Sequence, residues 1–127
     1  MWHRYEAEGI AYAEADAEDF EDYPLLECHL QTAAEFVLAS RPGGALIHCF
    51  AGVNRSAALA IAVVMVREKL PLLRVVSDAF AARPFILSNE SFRRQLVRLA
   101  AEHGLLREAA DEPHAVEPVD VALVRSR

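Results

Sequence analysis

Cysteine is scarce in this 127-residue chain: two residues, enough for one bridge at most, which excludes a disulfide-stapled scaffold. Long apolar runs are also missing. The longest is the decapeptide Ala57 to Val66, well short of the ~20 residues that a bilayer-crossing helix needs, so no membrane partner is expected. Nor is there an excess of positive charge. Thirteen Lys and Arg stand against 19 Asp and Glu, a net charge of −6, and the basic residues are scattered, which argues against a nucleic-acid partner. Histidines 29, 103 and 114 stand at no ligand spacing with either cysteine, so no metal and no cofactor is expected. Met1 to Ala7 is polar and charged, unlike a secretory leader, which with the few cysteines points to a reducing compartment, the cytoplasm or the nucleus. No repeat or low-complexity segment is present. The length and the 54% apolar content suit one small domain with one core.

Against this background the stretch Leu46-Ile47-His48-Cys49-Phe50-Ala51-Gly52-Val53-Asn54-Arg55-Ser56-Ala57 stands out. Ala45 to Ile47, bounded by Gly43-Gly44, reads as a short buried strand. Arg55 to Leu70 reads as a helix enclosing the apolar decapeptide, stopped by Arg67, Glu68, Lys69 and Pro71. The intervening loop therefore lies at a helix start, where backbone N–H groups lack internal partners and the helix dipole adds positive potential. That is a cradle for an anion. A thiol placed there beside Arg55 is acidified, which makes Cys49 a nucleophile. Ser56 can donate a hydrogen bond to the thiolate. Arg55 offers a planar fork that matches two oxygens of a phosphoryl group. Gly52 allows the tight turn by which the loop amides converge.

The pattern His-Cys-x5-Arg-Ser resembles the signature of the cysteine-based protein tyrosine phosphatases, and its flanks most resemble the dual-specificity phosphatases. Gly9-Ile10-Ala11-Tyr12 is similar to the strand before that family's general-acid loop, which puts Asp19 in register with the acid. Arg83-Pro84, Asn89-Glu90-Ser91-Phe92 and Gln95-Leu96 resemble the segment that braces the phosphate loop. The likeness runs from about Glu8 to Leu106. It implies an α/β fold, a phosphatase-like sheet flanked by helices, helix-rich and truncated at the N-terminus, with a catalytic domain over 1–106 and a tail over 107–127.

The resemblance further implies a phosphoprotein phosphatase that hydrolyses phosphotyrosine and phosphoserine or phosphothreonine through a phosphocysteine, with a phosphorylated protein as partner. Cys49 is then the nucleophile, Asp19 the general acid, Arg55 the phosphate clamp and Ser56 the thiolate's donor. Phe50, Ala51, Gly52, Val53, Asn54 and Arg55 line the phosphate, and His48 and Asn89 support the loop. Two departures bear on this reading. Asn54 stands where the family more often has serine, and RNA 5′-triphosphatases of the superfamily often show asparagine there. The family's upstream strands, one of which would lie between the Ile10 and Leu46 strands, have no counterpart, so either two strand edges stay unpaired or a substitute such as Val119 to Val124 or a second chain is recruited. The alternatives are a phosphate-binding interaction protein with little turnover, or a phosphoinositide or RNA 5′-triphosphatase. The last two tend to carry basic residues about the loop, and Phe50, Ala51, Val53 and Asn54 supply none.

The rest of the chain reads as a strand over Ile10 to Ala15, an acidic loop over Asp16 to Pro24, and a helix over Leu25 to Ser40. A helix from Pro71 to about Ala82 follows, then one from about Glu90, capped by Ser88 or Asn89 and stopped by Gly104. Asp16 is the alternative acid, and a solvated acidic loop also explains the cluster. Cys28 reads as a small helix residue facing the core, or as a resolving thiol for Cys49. His48 also reads as a satisfied core histidine. Val119 to Val124 has strand character within an irregular tail.

Overall fold

An apolar decapeptide in a helix has to be covered on nearly every side, and the structure is arranged around that requirement. The computed structural model describes residues 2–107 and 124–126, with side chains from Arg4 to Arg107. Its elements are α1 (Trp2–Ala7), α2 (Leu25–Ala39), β1 (Ile47–Cys49), α3 (Arg55–Glu68), α4 (Leu72–Ala82), α5 (Glu90–Glu102) and β2 (Val124–Ser126). Helix α3 is the axis, and α2, α4, α5 and both strands pack on it. Ala57, Ala58, Ile61, Ala62 and Met65 of α3 are completely buried. Its alanines carry little bulk, so neighbouring helices approach closely. Leu25 of α2, Val75 of α4 and Phe92, Leu96 and Ala100 of α5 complete the core. Each large apolar side chain taken out of water there contributes about 1.5–3 kcal/mol.

The ends of the helices follow their local chemistry. Lys69 adopts the left-handed conformation (φ 53°) and its N–H bonds back to Met65, after which Pro71 prevents α3 from continuing. The first N–H of α4, that of Leu72, donates to the Leu105 carbonyl at 2.8 Å and ties the start of α4 to the segment that follows α5. Asn89 caps α5, its Oδ1 accepting the Phe92 N–H at 3.1 Å. Cap and brace, the two roles considered for Asn89, are both present, as the site shows below.

Three expectations are corrected. Residues 10–19 form neither helix nor strand. A strand needs a neighbour for its backbone groups, and no described strand runs beside them; Ile10 remains 52% exposed. The strand expected from Ala45 begins at Ile47, is half-buried throughout, and leaves Leu46 outside. Cys28 does not face the core but is exposed. It lies two residues beyond buried Leu26, roughly 200° round a helix of 3.6 residues per turn. The tail pairs with β1 as expected of a strand-like segment, in parallel, with Ile47, His48 and Cys49 opposite Val124, Arg125 and Ser126. The paired residues thus begin where the expected segment ends; Val119 to Leu123 lie outside the described residues.

Candidate active site

Cys49 closes β1 and Arg55 opens α3, so the five residues between them must reverse from strand to helix start. Gly52 makes this turn with φ 67°, a conformation that strains any side chain, and is buried. Its N–H donates to Cys49 Sγ at 3.2 Å. Ser56 Oγ lies 3.3 Å from the same sulfur. Burial pushes the Cys49 thiol up, but the Ser56 hydroxyl, the Ser56 and Gly52 backbone N–H groups and the Arg55 charge together bring it below the ordinary thiol value. With sulfur ionised, every hydrogen bond to it runs inward from a donor.

Arg55 Nη1 donates to the Ala17 carbonyl at 3.2 Å, while its Nε is buried and, among the described residues, has no partner. An orphaned buried donor costs about 1–3 kcal/mol, and an oxyanion is the complement it lacks. Val53 holds the loop from outside by accepting the Leu87 N–H at 2.9 Å, and Arg93 Nη1 donates to the Leu87 carbonyl at 2.9 Å. Phe50 and Ala51 face solvent. His48 is half-buried at mid-strand, in register with Arg125.

The acidic loop comes to this same place. Asp19 Oδ2 accepts the Asn54 amide and its Oδ1 the Asn89 amide, each at 3.0 Å. Asn89 also donates to the Phe20 carbonyl at 3.2 Å. Asp16 enters the network through its backbone, accepting the Tyr23 hydroxyl at 3.1 Å, and that hydroxyl lies 2.6 Å from His29 Nε2. Partial burial first, then electrostatic interaction with Cys28, Asp16 and Glu18, holds the Tyr23 hydroxyl above its usual range. Gln95 latches the loop's far end, donating to the Tyr23 carbonyl at 2.7 Å and accepting the Leu26 N–H at 3.2 Å.

The structure therefore forms two hydrogen-bonded groups, Cys49 with Gly52 and Ser56, and Asp19 with Asn54 and Asn89, joined through the backbone of the loop that ends at Arg55. Sequence reasoning left out the Ala17 carbonyl, Ser88, the Tyr23–His29 pair and what the Asn54 side chain does. The one signal for the last was that Asn54 is unusual at its place in the motif. Among the described residues no group of three or more His, Cys, Asp or Glu side chains is disposed to hold a metal ion, and no helix is long and apolar enough to cross a membrane.

The chain is similar in sequence to known proteins over the same residues. The family model for the dual specificity phosphatase catalytic domain matches residues 2–102. Dual specificity protein phosphatase 26 of Homo sapiens is 39% identical over 98 residues, 75% of this chain and 46% of that protein. Dual specificity protein phosphatase 15 of Mus musculus is 34% identical over 89 residues, 68% of this chain and 37% of that protein. The chain spans about half the length, or less, of the curated relatives it matches. With the match over residues 2–102 enclosing the thiol loop, the Asp19 loop and the Asn89 brace, this chain belongs to the dual specificity phosphatase catalytic-domain family.

Proposed function

We propose that the chain is a protein phosphatase that removes phosphate from phosphotyrosine and phosphoserine or phosphothreonine through a phosphocysteine. The observation that carries this is Cys49, acidified by Ser56, Gly52 and Arg55, on a loop that ends at an arginine whose buried Nε, among the described residues, lacks an acceptor. The Cys49 thiolate attacks phosphorus, forming the S–P bond as the bond to the leaving oxygen breaks. Protonated Asp19 gives that oxygen its proton, help typically worth about 10²–10⁴ in rate. Asp19, now a carboxylate, takes a proton from water as the water attacks phosphorus and the S–P bond breaks, returning thiolate and inorganic phosphate. Arg55 and the loop amides neutralise the non-bridging oxygens in both steps.

Protein substrates are favoured over polyanionic ones by what surrounds the loop. Phe50 is 83% exposed and Phe85, two residues before the Leu87 that braces Val53, is 85% exposed, while no basic residue stands between Cys49 and Arg55. Exposed aromatic side chains on the loop and near its brace, with no base within the loop, suit a phosphorylated side chain with its peptide rather than an inositol phosphate or an RNA triphosphate. The test is to quench the reaction of Asp19→Ala with a phosphotyrosine peptide in acid and map phosphate by mass spectrometry. Phosphate on Cys49, absent from Cys49→Ser, is the expected result. Peptide binding by the wild-type chain with neither phosphate release nor a Cys49 adduct would replace the proposal with a binding function.

A further inference from the structure

We infer that Asn54 is a positioning residue that docks the Asp19 loop onto the phosphate loop, acting through its side chain rather than through the backbone amide that its place in the motif suggests. The inference rests on the phosphatase reading above and concerns how the proton donor is held.

Asn54 is only 7% exposed, and its carboxamide is used on both sides. Nδ2 donates to Asp19 Oδ2 and to Ser88 Oγ, each at 3.0 Å. Oδ1 accepts the Asn89 backbone N–H at 2.9 Å and lies 3.3 Å from Ser88 Oγ. The Asn89 N–H can only donate, so it fixes which end of the amide is oxygen, and the nitrogen must then face Asp19. Asn89 repeats the arrangement from the start of α5, giving its Nδ2 to Asp19 Oδ1 at 3.0 Å and its Oδ1 to the Phe92 N–H at 3.1 Å. Each oxygen of Asp19 is therefore held by one amide, and the two amides are joined through the Asn89 N–H.

This bridges three segments that sequence keeps apart: Asp19 lies 35 residues from Asn54 and 70 from Asn89. A serine, commoner at this position in the family, ends one bond earlier and has a single proton, so it cannot give to Asp19 and Ser88 together. Asn54 is also the residue immediately before Arg55. The carboxyl group that moves the proton is thus anchored to the same short loop that carries Cys49 and the phosphate clamp, and its position is fixed with respect to both.

The test is a series of aryl phosphates of graded leaving group, hydrolysed by wild type, Asn54→Ser, Asp19→Asn and the double variant. A loosened proton donor matters most where the leaving oxygen most needs a proton. Asn54→Ser should lower kcat on the poorest leaving groups by roughly 10–100-fold, far more than on the best ones, with KM and the pH midpoint of Cys49 alkylation unmoved. In the Asp19→Asn background it should add almost nothing. An equal loss across the series, or a full additional loss in the double variant, overturns the positioning role while leaving the phosphatase reading intact. A wild-type chain with no turnover and no Cys49 adduct overturns that reading and the proposal with it. Independently of turnover, and of whether Asn54→Ser folds, Asp19→Ala should shift the side-chain amide resonances of both Asn54 and Asn89. Unmoved resonances would mean the loop is not docked through them.

Discussion

At Cys49 two opposed effects meet, and the donors win. Burial disfavours the charged sulfur, yet Ser56, Gly52 and Arg55 together leave the thiol below its ordinary value. Of the groups that hydrogen-bond the sulfur, the Ser56 hydroxyl is the one carried by a side chain. Ser56→Ala should therefore raise the pH midpoint of Cys49 alkylation by iodoacetate, and a midpoint that stays put would show that the hydroxyl does not bond the thiolate. The same shift has a consequence for stability, with a definite sign. A thiol whose folded value is depressed stabilises the fold fully above its unfolded value, and that contribution is lost as pH falls through the folded value. Wild type should thus gain on Cys49→Ala as pH rises between the two values, and the gain should shrink when Ser56 is also alanine.

At the scale of elements, Asn89 is where helix and site share one side chain. Its Oδ1 caps α5, and its Nδ2 holds Asp19 and the Phe20 carbonyl. Asn89→Ala should lower the unfolding free energy by about 1–3 kcal/mol from the lost cap and the unpaired groups, whereas Asn89→Asp should restore the cap but set a like charge against Asp19. Urea melts of the two variants separate cap from brace: if Asn89→Asp is as unstable as alanine at neutral pH yet recovers in acid, repulsion is the cause. The cap itself was legible in sequence, as were α2 to α5, because apolar spacing, Pro71, Asn89 and Gly104 are local signals. What escaped was whatever depends on a partner. The Ile10 segment reads as a strand in sequence, but among the described residues no strand lies beside it. Residue type alone suggests the core for Cys28, although the apolar stripe Leu26, Leu30, Ala33 and Val37 lies on the opposite face of α2. The Asn54–Asp19–Asn89 network joins residues whose separations carry no periodic signal, so only the folded chain reveals it.

For the molecule as a whole, the helical core and the small sheet rest on different supports. Ala57, Ile61 and Met65 are buried among α2, α4 and α5, so α3 keeps its cover whatever happens to β2. Strand β1 depends on the sheet more directly: its one described partner is β2, three residues long and parallel, a pairing that is marginal alone and weaker per residue than an antiparallel one. The two strands meet at Cys49 opposite Ser126, so the end of the ladder is the start of the thiol loop. Ending the chain at Leu123 should then act unevenly. Amide exchange at Ile47, His48 and Cys49 should quicken towards that of a free edge, while Ile61 to Met65 at the centre of α3 should keep their protection, with global stability falling by about 1–3 kcal/mol. Exchange by mass spectrometry or NMR reads both regions in one sample. Equal acceleration in β1 and α3 would mean that the pair of strands is part of the global folding unit rather than a local one, and unchanged protection at Ile47 to Cys49 would mean that β2 does not cover β1 in solution.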